Sequence, residues 1–272
     1  MSFCWSFAPR WMRWALVGLV HILLSWASAL AAQPAPVVVL SHQDRQVDLS
    51  LSLRYVEDPT GRLDLASVLD VWAELAAPEA PTKAYNFGFT PSAYWFHVRL
   101  FNQDAPEDRW LLESLYPIID ELTVYFVYPD GRRITRTAGD AVPFANRSRA
   151  HHNPNYDLTL APGEQVDVYL RAKTTGAVQM QLMLWSESAF DFKDHQERFV
   201  FGLYYGLLLA MVAYNFLIFV SIRDINYLWY VLYIVSYAGL QLSLNGLAFE
   251  HLWPNAPWWN NRSVAFFLSV GM

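Results

Sequence analysis

Along residues 40–198 apolar and polar positions mostly alternate, the period of half-buried strands. Leu49, Leu51, Leu53 and Tyr55 alternate with polar neighbours and predict a first strand. Leu65 to Leu75 breaks the pattern, with Leu65, Val68, Leu69 and Trp72 at helical spacing. Period two returns at Tyr94, Phe96, Val98 and Leu100, at Leu122, Val124, Phe126 and Tyr128, and at Val166, Val168, Leu170 and Ala172. Shorter runs at 134–137, 156–160 and 179–184 complete seven or eight strands. The segments Asp58-Pro59-Thr60-Gly61, Pro129-Asp130-Gly131 and Ala161-Pro162-Gly163-Glu164 read as turns. Strands without helical crossovers imply an antiparallel β-sandwich over residues 40–187.

The pattern then changes kind. Phe199 to Val220 is uncharged over 22 residues, and about 20 apolar residues cross the hydrocarbon core as a helix. A polar loop at 221–226 separates it from a second stretch, Tyr227 to Phe249. A Trp- and Pro-rich loop, 250–262, precedes a third apolar run over 264–272, which reads as the beginning of a further span. Residues 188–198 are polar and predict a juxtamembrane linker that begins helically. At the other end, Arg10 and Arg13, an apolar run from Trp14 to Trp26 and Ala29-Leu30-Ala31 form the three parts of a secretory signal over residues 1–31; a retained anchor is the alternative. Residues 32–39 are a linker. Export puts the sandwich outside the cytoplasm and the 221–226 loop inside. The fold class is all-β, a sandwich followed by transmembrane helices.

Charged residues are only 16% of the chain, and the deficit is concentrated after residue 199, as two environments require. A net charge of −6 gives no basic surface for nucleic acid. The one cysteine, Cys4, lies in the signal, so disulfides, zinc–cysteine sites and cysteine nucleophiles are excluded from the mature chain. No nucleophile–base pair or phosphate loop is evident, and neither an enzyme nor a cofactor is expected.

The polar face of strand 94–100 carries Trp95, His97 and Arg99. An indole to stack on a sugar and a guanidinium to grip a carboxylate make Trp95 and Arg99 candidate ligand contacts; a Trp under a loop and an Arg in solvent is the plain alternative. The long loop 139–157 contributes Arg147 and His152 as further polar contacts. Neighbouring side chains on an extended chain point apart, so His151 and His152 are not expected to pair on a metal, and no metal site is expected. Asp120 suits a turn, and Asp167 suits solvent. In the first span Gly202, Gly206 and Ala210 form a row that permits close helix packing, with a homodimer contact as the second use. Asn215 needs a hydrogen-bond partner inside the membrane.

Several of these segments carry a resemblance. Phe201-Gly202-Leu203-Tyr204-Tyr205-Gly206, Tyr214-Asn215, Ser221-Ile222-Arg223-Asp224, Tyr227-Leu228-Trp229-Tyr230, Asn245-Gly246-Leu247-Ala248 and Leu252-Trp253-Pro254 resemble the bacterial seven-transmembrane receptors with diverse intracellular signalling modules. Tyr94-Trp95-Phe96, Asn102, Tyr116-Pro117-Ile118-Ile119-Asp120, Gly139-Asp140, Pro143-Phe144, Arg147 and Tyr169-Leu170-Arg171 are similar to that family's extracellular domain. The resemblance implies a jelly-roll-like ligand-binding domain in the periplasm, a helical bundle in the inner membrane and a cytoplasmic output module outside this sequence. The expected partners are a small extracytoplasmic ligand, carbohydrate or carboxylate, and the lipid bilayer. An anchored module that binds an envelope protein or glycan is the alternative.

Overall fold

The computed structural model describes residues 37–74 and 84–271. The predicted signal, 1–31, lies outside them.

Strand β5 (Ala93–Asn102) is the spine of the larger sheet and is buried along most of both faces. One of its edges pairs antiparallel with β10 (Gln165–Lys173), β10 pairs in turn with β7 (Glu121–Val127), and β7 with β8 (Arg133–Ala138). Two short strands share the other edge. β3 (Arg54–Asp58) pairs antiparallel with its first half, and β1 (Val37–Leu40) pairs parallel with its second half. The second sheet has the order β2 (Gln46–Asp48), β12 (Leu182–Ser186), β6 (Arg109–Ser114) and β9 (Asn155–Thr159), all antiparallel. β4 (Tyr85–Phe89) and β11 (Ala177–Met180) form a separate ribbon.

The two sheets are held by one apolar core. Phe96, Val98 and Leu100 of β5, Val168 and Leu170 of β10, and Val124 and Phe126 of β7 share it with Trp110 and Leu112 of β6, Tyr156 and Leu158 of β9, and Leu182 and Leu184 of β12. Each fully buried side chain of this size contributes about 1.5–3 kcal/mol. Asn102 stitches the far end. Its Nδ2 donates to the carbonyls of Ala105, Glu107 and Leu160, and its Oδ1 accepts from the Ala105 N–H. The Asp120 carboxylate accepts from the Thr175 N–H and hydroxyl at 2.8 Å and so fixes a turn.

Two strand expectations are corrected. The first part of the alternation, 49–53, is a turn, because Asp48 Oδ1 accepts from the Ser50 N–H and the Ser52 N–H bonds the Leu49 carbonyl, closing β2; only its end, Arg54 and Tyr55, is strand, in β3. The run 179–184 is split at Gln181 between the ribbon and the second sheet. Helix α1 (Leu65–Glu74) belongs to a separate compact unit, and Asp64 caps it through Ser67.

After β12 the chain turns directly into helix α2 (Glu187–Ile222), with Ser186 as the N-cap accepting from the Ala189 N–H. The juxtamembrane stretch 188–198, expected to begin helically, is helical throughout, and 36 residues run as one helix of about 54 Å. It ends at Arg223 in the left-handed conformation, and Asp224 caps α3 (Ile225–Leu244). Both helices are long and apolar enough to cross a membrane. The second stretch stops at Leu244, short of the expected Phe249. Gly246, at φ 72°, breaks it and starts a short helix, α4 (Leu247–His251). Pro257 opens α5 (Pro257–Gly271), seven residues before the expected start, at the first helical position that proline favours. Inside the bundle the Asn245 amide donates to the Tyr205 hydroxyl, and the Ser263 hydroxyl to that of Ser243.

Candidate functional site

The strand face expected to bind a ligand is already paired within the chain. β10 lies in register with β5, so Asp167 stands opposite Arg99 and Tyr169 opposite His97. The Arg99 guanidinium donates to Asp167 at 2.8 and 3.2 Å, and His97 Nε2 lies 2.7 Å from the same carboxylate. Asp167 is therefore not in open solvent. Burial alone would raise its pKa, but the bonds from His97 and Arg99 outweigh that and lower it. Trp95 is fully buried and stacked on Tyr125 at 5.6 Å, so its ring presents no open face to a sugar.

Arg147 and His152 lie at the junction of sandwich and helices. The loop from Gly139 to Pro154 lies against α2 and the α3–α4 turn. Arg147, only 6% exposed, folds back so that one Nη donates to the carbonyls of His151 and His152, both at 2.6 Å. Its guanidinium lies over the rings of Phe144 and of Phe249 in α4. Burial lowers its pKa to about 10, partly offset by the charges of Glu250 and Asp140, so it stays cationic. The His152 carbonyl also packs on Gly246, where a Cβ would stand 2.7 Å from it and 2.9 Å from Pro117 Cβ. The bare glycine backbone lets the α3–α4 turn seat against the sandwich.

The other half of the junction is the outer face of the second sheet, where Leu111 and Trp185 pack with Phe190 of α2. Beside them Glu113 is fully buried. It accepts from Lys193 Nζ at 2.6 Å and from Asn153 Nδ2 at 2.8 Å. Lys193 also reaches Glu197 at 3.0 Å, and His151 Nε2 reaches Glu197 at 3.2 Å. Burial pushes Glu197 up, but His151 and Lys193 outweigh it and hold the carboxyl at about 2. Arg149 of the loop binds Glu187 and Asp191, and Arg198 of α2 binds Asp194, Glu250 and the Ala150 carbonyl. Asp140 is buried close to Asp120, which raises its pKa to about 7, and the Asn261 amide of α5 reaches its carboxyl at 3.0 Å.

The histidine pair departs from expectation. Residues 151 and 152 are in a loop, not a strand, and their rings lie together at 4.0 Å, each against an aromatic ring of α2, Phe190 or Phe201. Burial drives His152 down to about 3, so it is neutral.

Residues 50–186 match the family described as 7TMR-DISM extracellular 2, and residues 197–272 match 7TM diverse intracellular signalling. The chain belongs to this receptor family. No curated protein matches it. In this 7TMR-DISM chain the extracellular domain ends, at residue 186, on the residue that caps α2. The ten residues between the two matched regions, 187–196, are the first turns of that helix and carry Glu187, Asp191, Lys193 and Asp194. The chain is thus a membrane receptor whose N-terminal domain is extracellular, and the junction is where its two regions meet.

Sequence reasoning missed Glu113, Arg149, His151, Lys193, Glu197 and Gly246 as members of this junction. The i,i+4 pair Lys193–Glu197 was visible; the partner of Lys193 on β6, 80 residues away, was not. The helix-packing expectations are also redistributed. A Cβ at Gly202 or Gly206 would meet nothing within 4 Å, whereas one at Gly239 would stand 2.5 Å from the Phe267 ring. Close packing of α3 on α5 therefore runs through Gly239. Ala210 lies on the same open α2 stretch, and Asn215 donates to the Met211 carbonyl of its own helix.

Proposed function

We propose that this chain is the sensing part of a receptor in a bacterial inner membrane, and that it binds a small extracytoplasmic ligand, a carbohydrate or a carboxylate. The observation that carries the reading is the junction itself. One loop of the sandwich is fastened to α2 by Arg149 and His151 and seated on the α3–α4 turn by the His152 carbonyl. A shift in that loop must therefore be felt by both membrane helices. Signal transfer needs only that the ligand bind two arrangements of the junction with different affinity.

An open groove of about 750 Å³ beside the junction supports a small ligand, being within the usual range for such sites. Arg45, Gln46, Trp185, Phe192 and Gln196 line it beside Lys193, whose ammonium is held by Glu113 and Glu197, so the groove supplies aromatic surface and the Arg45 guanidinium. Trp95 and Arg99 are already engaged with Tyr125 and Asp167, and Arg147 and His152 hold the junction, so we assign ligand contact to this groove. The open Gly202–Gly206 row is free in this chain to pack on further helices or on a second copy. We assign the chain no catalysis; output belongs to a cytoplasmic module.

The test is a melting-temperature screen of the chain in nanodiscs against sugars and organic acids. A reproducible rise that is lost in Arg45→Ala and Gln196→Ala supports the assignment. No rise with any compound, together with retention of one envelope protein on the immobilised chain, would replace it with an anchored interaction module.

A further inference from the structure

We propose that His151, His152 and Glu197 form a site for a zinc-type divalent ion that clips the sandwich loop to the first membrane helix. It does not depend on the ligand reading above. The three ligand atoms lie within 4.8 Å of one another. Glu197 Oε2 is 3.2 Å from His151 Nε2 and 3.9 Å from His152 Nε2. Ligand atoms around a tetrahedral zinc with bonds of about 2.0–2.1 Å stand about 3.3–3.5 Å apart, so small side-chain adjustments close the site. Two imidazoles and one carboxylate are a zinc donor set; magnesium and calcium favour all-oxygen sites.

The surroundings fit a cation. Three carboxylates lie within 4 Å of the His151 ring: Glu197 at 3.2 Å, Glu113 at 3.6 Å and Asp194 at 3.7 Å. Among the described residues, Lys193 and Arg198 are the lysine and arginine side chains that touch them. Three negative charges against two leave room for positive charge at the ring. Water takes the fourth position, because both oxygens of Asp194 are held by Arg198 at 2.8 and 2.9 Å. The Glu197 side chain, 32% exposed, gives a path from solvent.

Binding requires a change of tautomer. His151 Nδ1 accepts from the Asn153 N–H, so the ring proton is on Nε2, facing Glu197. On loading, the proton moves to Nδ1, the Asn153 N–H that bonds Nδ1 in the metal-free state turns away, and Glu113 closes from 3.6 Å to accept from Nδ1 and orient the ring, as carboxylates do behind metal-bound histidines. Lys193 competes for Glu197 and must turn wholly to Glu113.

That competition gives the test its sharpest arm. The chain in nanodiscs, stripped with chelator, is titrated with Zn²⁺ and Co²⁺, following heat, melting temperature and cobalt d–d absorption. Zinc is expected to raise the melting temperature, and cobalt to give visible bands of tetrahedral strength. His152→Gln and Glu197→Asp are expected to weaken binding by at least about tenfold, and Lys193→Met is expected to tighten it. Magnesium should do nothing. Metal-free melting temperatures of the variants show whether each still folds; where one does not, the Lys193→Met and cobalt arms carry the decision. Absence of cobalt bands and of any zinc shift overturns the proposal. So does zinc binding unchanged in both ligand variants, which would place the ion on another histidine such as His195 or His251.

Discussion

Replacing Gly246 with alanine tests the seating of the sandwich on the bundle. Two costs add. The residue sits at φ 72°, and an L-residue there costs about 1–2 kcal/mol. Its Cβ would also stand 2.7 Å from the His152 carbonyl oxygen and 2.9 Å from Pro117 Cβ, and overpacking of this kind typically costs about 1–3 kcal/mol. The sum is about 2–5 kcal/mol. The strained contact lies between two parts of the protein, so the cheapest relief is local: the loop lifts from the α3–α4 turn while each part stays folded. Amide exchange in residues 144–153 should therefore accelerate by about 30-fold to several thousandfold, at 1.4 kcal/mol per tenfold. Gly202→Ala, with nothing within 4 Å of the new methyl, is the control. Gly246→Asn separates the two costs, because asparagine tolerates the left-handed region yet carries the same Cβ. Exchange that returns to the wild-type rate in Gly246→Asn would assign the effect to backbone strain alone. Unchanged exchange in Gly246→Ala would refute the docked geometry.

Three further outcomes follow from the same structure. Gly239→Ala should lower the melting temperature of the chain in nanodiscs through about 1–3 kcal/mol of overpacking on Phe267, whereas Gly202→Ala should not lower it. Asn102→Ala removes three donated bonds and one accepted bond from a fully buried site and should cost about 2–4 kcal/mol in chemical denaturation of the sandwich; a loss under about 0.5 kcal/mol would contradict that role. Asp140 has its folded pKa raised from 3.8 to about 7, so its contribution is fully present below pH 3.8 and is lost as pH rises through 7. Asp140→Asn should accordingly raise the melting temperature at pH 8 and leave it nearly unchanged at pH 4, the ceiling being about 4 kcal/mol for three pKa units; equal shifts at both pH values would remove the carboxyl as the cause.

Much of the sandwich was legible because a face that packs on a core must repeat every second residue. Strands β5, β7 and β10 obey that rule without a break, and their apolar sets are the ones in the core. The rule misled at 49–53, where Leu49 and Leu53 are buried from a turn that Asp48 closes. It was silent at the end of the second span, since Leu247, Ala248 and Phe249 continue the apolar run although Gly246 has already bent the chain. The junction was the least legible part. Arg147 stood out through its motif, but its partners are backbone carbonyls, which every sequence offers everywhere. Glu113 sits among apolar neighbours, and its burial depends on Lys193 arriving from a helix the strand pattern cannot foresee. Local periodicity records which face of an element is covered, not which element covers it.

The chemistry of that cover matters to what the helix can do. An apolar helix face against an apolar sheet tolerates sliding, because one methyl contact resembles another. Charged pairs do not. Glu187 and Asp191 both reach Arg149, while Lys193 and Glu197 together address Glu113 and His151. Each set is spaced four apart on α2, and a slip of one residue would turn both by about 100° and part every pair at once. The Arg149 pairs are partly exposed and weak, but Glu113 is fully buried, and taking Lys193 from such a partner typically costs about 3–5 kcal/mol, so this one pair disfavours intermediate positions. The junction therefore holds α2 in one rotational setting or releases it. Between the Ser186 cap and Arg223 the helix has no break, so Lys193 and Ile222 belong to one continuous helix.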